Sequence, residues 1–371
     1  MTKKNRFEVL FYNLNKKLKF IDYLIKVLVM VIILFLLLEF ISFIAVQVYE
    51  DNDSRFYSEV YSDKEWAELY FKEFKDSFEA EYYPYVGYRR VPNFKGEFIN
   101  LDENSIRKTE NNCSDSDTIK IFVFGGSTIW GTGARDIGTI PSYLAKDLCE
   151  SFSVEITNFG ESGYTSSQEV IRLILELRNG NVPDVVVFYD GVNDVYSSYQ
   201  NNVAGVPQNI ENRKADFNSR KNLNIKGYLI NSNFMEILKK VVKTSREKNL
   251  IEKGLSSSLS DETTAIYLNN VKIVKILEKE YGFKSLFYWQ PAVYTKNELS
   301  GNEKDEINLD MTFGGLYLHV TDGINNSDSV VDLTGVFNVN KTIFIDDVHI
   351  SEDGNEIIAK VIAEDIRKVY L

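Results

Sequence analysis

Short, almost uninterrupted apolar runs recur along this chain, at residues 119–124 (IKIFVF), 154–158 (VEITN), 184–189 (DVVVFY) and 283–289 (FKSLFYW). A strand that is apolar on both sides has to be covered on both, and the interior of a sheet supplies that. Between and after the runs lie TIPSYLAKDLCESF, SSQEVIRLILELRNG and DETTAIYLNNVKIVKILEKEYG, each with apolar residues three and four apart. That is the period of a helix with one buried stripe. Alternating strands and helices need crossover connections, which are right-handed, so the body is expected to be an α/β fold with a parallel sheet between two helical layers. A fifth strand is expected near VVDLTGVF, ahead of a C-terminal helix in SEDGNEIIAKVIAEDIRKVY.

Residues 27–48, VLVMVIILFLLLEFISFIAVQV, contain one charge, Glu39. As a helix this run is long enough to cross about 30 Å of hydrocarbon. Lys3, Lys4, Arg6, Lys16, Lys17, Lys19 and Lys26 precede it, whereas Glu50, Asp51 and Asp53 follow. The positive-inside bias therefore puts the N-terminus in the cytoplasm and everything after about residue 50 outside, as a single-pass protein of the cell membrane. A cleaved signal peptide is the competing reading of the same run. The expected division is a basic N-terminus (1–26), a transmembrane helix (27–48), a juxtamembrane helix at 63–79 within an aromatic extension (49–114), and the α/β body (115–371). Residues 198–262 interrupt the strand–helix rhythm and are expected to be an insertion with a helix near 233–247, either a lid or a surface excursion. Ser260 or Asp261 is expected to cap the helix that follows, and residues 292–328 are expected to be irregular.

Net charge is −12 over 371 residues, but residues 1–26 are basic, so the remainder carries −17. Such a body repels phosphate backbones, and no nucleic-acid partner is expected. Cys113 and Cys149 fall in the region assigned to the outside, where a disulfide can persist. A strand at 119–125 and a returning helix at 138–150 would bring them to one edge; a bridge and two free thiols both remain open.

Ligands of open parallel sheets bind beyond the carboxyl ends of the strands, where loops diverge and helix N-termini present N–H groups. There the chain places Gly125-Gly126-Ser127-Thr128, then NFGESGYT, then DGVND, and finally IDDVH before the last helix. A serine hydroxyl needs a base, usually a histidine held by a carboxylate. Of the two histidines, His349 follows Asp346 by three residues, a spacing at which side chains on one helical turn meet. His319 has no such neighbour and reads as structural. The oxyanion of acyl transfer needs donors already aimed at it; the backbone N–H groups of Ser127 and Gly163 and the side-chain amide of Asn193 qualify.

These blocks resemble the SGNH, or GDSL-type, hydrolases, and the N-terminal apolar run with the YYPYVGYR lead-in resembles membrane-bound bacterial members. Gly125-Gly126-Ser127 stands at the first block, with Gly126 in place of the family's aspartate. Asn158, Gly160 and Gly163 match the second, Gly191, Asn193 and Asp194 the third, and Asp346 with His349 the last. The resemblance, over about residues 115–371, implies a three-layer α/β/α, flavodoxin-like fold with a five-stranded sheet. It also implies Ser127 as nucleophile, His349 as base, Asp346 as its orienter, and Ser127, Gly163 and Asn193 as the oxyanion hole.

The glycine turn after the first run lacks the third glycine of a dinucleotide fingerprint and the lysine of a phosphate loop. No cluster has metal-ligand spacing, so neither a cofactor nor a metal is expected. The expected activity is a serine esterase, or an O-acyltransferase, working on an acylated carbohydrate or another small ester. A non-catalytic anchored protein that binds glycans or helps assemble polysaccharide is the alternative. Trp130, Tyr164, Tyr189 and Tyr196 flank the blocks and either stack on sugar rings or pack the rim. Tyr82, Tyr83, Tyr85 and Tyr88 either line a groove or cover the flank of the body. Oligomeric state is not legible.

Overall fold

The computed structural model describes residues 3–50, 53–115, 117–219, 257–307 and 311–370. The chain forms two units, one containing residues 1–52 and the other Asp53–Ala215 with Gly254–Leu371. In the first, helix α1 (Lys3–Glu50) is continuous, and its window Leu14–Ile44 is long and apolar enough to cross a membrane. It is a candidate span, beginning earlier than the expected 27–48 because the helix does not break at the lysines before it.

The second unit is built on a five-stranded sheet of β3 (Ile119–Gly125), β4 (Val154–Asn158), β5 (Val185–Asp190), β6 (Lys284–Trp289) and β7 (Val331–Asp332). The order is β4-β3-β5-β6-β7 and every pair is parallel. This is the doubly wound arrangement in which the chain reverses direction across the sheet beside its first strand. The fifth strand is only two residues long. β1 (Ala80–Glu81) and β2 (Arg89–Arg90) form a separate antiparallel pair.

One face of the sheet, with Ile121, Val123, Val187 and Tyr288, packs on α4 (Ile140–Leu148) and the C-terminal helix Glu352–Tyr370. The other face takes α5 (Ser166–Arg178) and helices Ser257–Tyr281 and Met311–Ile324. There Phe124, Phe188 and Phe287 stack across adjacent strands, with ring centroids 5.1 and 5.2 Å apart, because the parallel register aligns them. Such a ladder locks the register, since a slip of one residue would turn each ring to the opposite face.

Three expectations need correcting. Residues 292–328 are not irregular: Met311–Ile324 is a helix burying Phe313, Leu316, Tyr317, Val320 and Ile324 at helical spacing, despite Gly314, Gly315 and Gly323. Neither Ser260 nor Asp261 caps the helix expected to follow them, because the chain is already helical at Ser257 and Ser260 is buried within its first turns. The helix expected at 63–79 is shorter, running as α2 (Ala67–Asp76) after two short 3-10 turns. The helix expected near 233–247 lies outside the described residues.

The extension does more than cover the flank. Tyr61, Tyr70, Phe71, Phe74, Ile99 and Leu101 form their own core with Trp130 and Ile345 of the body. Of the tyrosines, Tyr82 and Tyr85 are exposed, while Tyr88 packs edge-on against Tyr164. Cys113, whose backbone pairs with Val154 at the sheet edge, is joined by a disulfide to Cys149 at the end of α4, with Cα atoms 6.1 Å apart.

Candidate active site

At the end of β3 the chain passes through Gly125 and Gly126 into the single turn α3 (Ser127–Trp130), so Ser127 stands at the first helical position above the sheet. Gly126 is there for space: a Cβ on it would lie 2.0 Å from Nδ2 of Asn193. The turn is anchored from below. Trp130 is fully buried between two guanidinium groups of the extension, Arg90 at 3.7 Å and Arg107 at 4.3 Å from its ring. Arg107 also donates to the carbonyls of Trp130, Gly131 and Ala134 and pairs with Asp136 at 2.8 Å. It thereby satisfies acceptors that a one-turn helix leaves open.

His349 lies in the segment before the C-terminal helix. Its Nε2 is 2.7 Å from Ser127 Oγ, and its Nδ1 is 2.6 Å from Asp346 Oδ2. Asp346 and His349 do not share a helical turn as their spacing suggested. Phe344 pairs antiparallel with Ile350, and Ile345 N–H donates to the His349 carbonyl across a tight loop. Within that loop Asp346 Oδ1 accepts the backbone N–H groups of Val348, at 2.9 Å, and His349, at 2.6 Å. The carboxylate thus fixes its own loop with one oxygen and the imidazole with the other. Arg55, held by Asp53, brings Nη1 to 4.0 Å from Asp346 Oδ2. Burial alone would raise the Asp346 carboxyl, but the charge of His349, the hydrogen bonds from it and the Arg55 guanidinium outweigh this and hold Asp346 well below the usual carboxylate range.

The third element is a set of neutral donors. Ser127 N–H belongs to the open first turn of α3, and Gly163 N–H has no acceptor among the described residues. Gly163 adopts φ +76°, and Tyr88 Oη lies 2.8 Å from where its Cβ would be, so only glycine presents its amide there without strain. Asn193 sits in the first turn of α6 (Val192–Asn201), following β5. The geometry brings together Ser127, His349, Asp346 and Asn193, each expected from the sequence. Asn158 is a strut: its Nδ2 donates to the Ile129 carbonyl and its Oδ1 accepts from Gly160 N–H, tying β4 to α3. Asp194 accepts from the hydroxyl and backbone N–H of Ser166, joining α6 to α5.

The sequence reading missed three contributors. Arg55 lies in an unpatterned stretch some 290 residues from its carboxylate. Gln208 donates Nε2 to Asn193 Oδ1 at 3.0 Å. Glu169, fully buried, has no hydrogen-bond partner for either oxygen among the described residues; burial first, and then the charge of Asp190, push its carboxyl well above the usual range. His319 is a surface residue whose Nδ1 donates to Gly315 O within its own helix. Trp130, Tyr164 and Tyr189 are packed inside, which leaves Tyr196 as the exposed aromatic of that group.

A serine hydroxyl donating to an imidazole that in turn donates to a half-buried carboxylate, beside N–H groups without a partner among the described residues, has the parts for acyl transfer through a covalent intermediate. The sequence matches the model of the GDSL-like lipase/acylhydrolase family over residues 121–362. The chain belongs to that family. This GDSL-like hydrolase is therefore a serine esterase by family, on a doubly wound sheet. Solved structures similar to it include an acetyl xylan esterase at 19% identity, covering 67% of this chain and 100% of that one, with a TM-score of 0.38. An acetylxylan esterase from Geobacillus stearothermophilus is also 19% identical, covering 69% of this chain and 96% of its own, with a TM-score of 0.37. A lipolytic G-D-S-L family member from Veillonella parvula DSM 2008 is 11% identical, with coverages of 66% and 97% and a TM-score of 0.37. No curated protein matches the sequence.

Proposed function

We propose that this GDSL-like hydrolase is a membrane-anchored serine esterase whose extracytoplasmic body removes or transfers O-acyl groups, acetyl first among them, on a glycan. The observation that carries the reading is the unbroken relay from Ser127 Oγ through His349 to Asp346, at 2.7 and 2.6 Å. In it, Ser127 Oγ attacks the ester carbon as its proton passes to His349 Nε2, and Asp346 stabilises the imidazolium that forms. The carbonyl oxygen becomes an oxyanion facing the N–H groups of Ser127 and Gly163 and the amide of Asn193. Collapse expels the alcohol, which takes the proton from His349 and leaves an acyl-serine. Water, or a second sugar hydroxyl, then attacks by the same steps in reverse.

The neutral amides beside Ser127, Asn193 and the Gln208 bonded to it, favour a short acyl group on a hydroxylated alcohol over a long lipid chain. The extracytoplasmic assignment rests on the charge bias around the candidate span and suits the Cys113–Cys149 disulfide, a bond that persists in oxidising compartments. A purely binding role, the competing expectation, makes no use of a hydrogen-bonded serine–histidine–aspartate line.

The test is hydrolysis of p-nitrophenyl acetate by the full-length protein in detergent, beside Ser127→Ala. Release by the wild type and none above background by the variant is expected; equal rates would remove the reading. Acetate freed from an acetylated polysaccharide, against acetyl groups gained by an unacetylated one, separates hydrolysis from transfer. Activity on neither glycan, with p-nitrophenyl acetate still cleaved, would overturn the glycan assignment alone.

A further inference from the structure

An asparagine side chain is an ambiguous oxyanion donor. Its terminal torsion is soft, and the amide presents NH2 on one side and a carbonyl oxygen on the other. Turned the wrong way, Asn193 would point an acceptor at the developing negative charge. Something has to choose its orientation, and neither the first turn of α6 nor the resemblance supplies it.

From the geometry we infer that Gln208 is the positioning residue that makes this choice. The inference rests on Asn193 being an oxyanion donor, as proposed above. Gln208 Nε2 donates to Asn193 Oδ1 at 3.0 Å, and among the described residues no other donor reaches that oxygen. With Oδ1 engaged, Nδ2 is left over Gly126, 2.0 Å from the point a Cβ there would occupy, and so next to Ser127. The other end of the same side chain is also at the hole: Gln208 Oε1 is 3.3 Å from where a Cβ on Gly163 would stand. One neutral amide thus spans the two outlying members of the donor set.

The loop carrying Gln208 is built to return along α6. The helix ends at Asn202 with φ +51°, and Gly205 and Asn209 are also left-handed. Asn209 and Gln200 are cross-linked twice, Asn209 N–H donating to Gln200 Oε1 at 2.6 Å and Gln200 Nε2 to Asn209 Oδ1 at 2.9 Å. Asn201 Nδ2 donates to the Ser197 carbonyl at 2.8 Å, and Ser197 Oγ donates to the Val206 carbonyl. Arg213, seated 4.5 Å over the Tyr88 ring, donates Nε to the Gln208 carbonyl at 3.1 Å. Five hydrogen bonds therefore hold this loop, and among the described residues the one hydrogen bond made by the side chain of its half-buried glutamine is the one to Asn193.

The experiment is steady-state hydrolysis of p-nitrophenyl acetate by the full-length protein in detergent. It compares the wild type, Asn193→Ala, Gln208→Ala, Gln208→Met, Gln208→Glu and the Asn193→Ala/Gln208→Ala double variant. Loss of one oxyanion donor costs on the order of 100-fold in kcat, so Asn193→Ala sets that scale. Gln208→Ala and Gln208→Met are each expected to lower kcat about tenfold with KM nearly unchanged, because they loosen the donor without deleting it. Gln208→Glu offers only acceptors to Asn193, draws Nδ2 away from the hole, and is expected to be slower than Gln208→Ala. The double variant is expected to be no slower than Asn193→Ala, since an absent donor needs no positioning. A purely structural role would instead multiply the two losses, and that result overturns the inference, as does full kcat in both Gln208→Ala and Gln208→Met. Full kcat in Asn193→Ala beside an inactive Ser127→Ala would mean that the donor assignment itself has failed, taking this inference with it but leaving the esterase.

Discussion

The two sides of Ser127, the proposed nucleophile, are built from opposite materials. On one, Asp346, His349 and Arg55 form a charged arm, fixed by backbone N–H groups donating into a carboxylate and by a guanidinium from the extension. On the other, Ser127, Gly163, Asn193 and Gln208 form a neutral arm, held by amide-to-amide contacts and by the absence of side chains at Gly126 and Gly163. The charged arm is over-determined and bound to pH; the neutral arm is geometrically tight and indifferent to it. In the proposed reaction the difference follows from what each arm would do, since one would hold a proton in transit and the other would meet a charge that exists only briefly.

The largest effect expected from attacking this contrast is on the charged arm. Asp346→Asn keeps the shape but lets the imidazole settle in the wrong tautomer, so kcat is expected to fall about 10⁴-fold in the p-nitrophenyl acetate assay. Gly126→Ala breaks the neutral arm by a single methyl group that Asn193 Nδ2 already excludes. A loss of about 100-fold in kcat, with the shape of the pH–rate profile unchanged, is expected; an altered profile would show that the arms are not separable.

Burial raises the carboxyls of Glu169 and Asp190, which also act on each other. A carboxyl whose proton is held more tightly in the folded state stabilises the fold at low pH, and this is lost as pH rises from the unfolded carboxyl value of about 4. Glu169→Gln keeps the shape and removes the carboxyl that burial makes costly to ionise. It is expected to match the wild type in thermal melts near pH 4 and to exceed it by at least about 1 kcal/mol at pH 8. The smallest effect is expected from Arg55→Met. Removing a cation 4.0 Å from Asp346 makes the Asp346–His349 pair easier to protonate. The acid limb of kcat/KM against pH should then move up by a few tenths of a unit, with the plateau nearly kept.

Much of this was legible in the chain because it rests on local pattern. The four long strands were bounded to within a residue or two by their apolar runs, and Ser127, Gly163, Asn193, Asp346 and His349 by short blocks at strand ends. What escaped depends on contacts far apart in sequence. The charge of Arg55 is felt across nearly 300 residues, and Gln208 lies in a polar stretch with no period of its own. Helix Met311–Ile324 was obscured by three glycines, although its apolar residues keep helical spacing; burial of Tyr317 and Phe313 outweighs the poor propensity. The Asp346–His349 spacing gave the right partners by the wrong geometry, because a side chain accepting its own loop's N–H groups spans three residues as readily as a helical turn.

The indole of Trp130, gripped between Arg90 and Arg107, sets a lower limit on how much chain the enzyme needs. The family match begins only at residue 121, yet both arginines precede it, and so do the aromatic residues that wall in the indole. A soluble fragment cut at the family boundary would leave the turn bearing Ser127 resting on an open hole. One that starts near Asp53 would keep its floor.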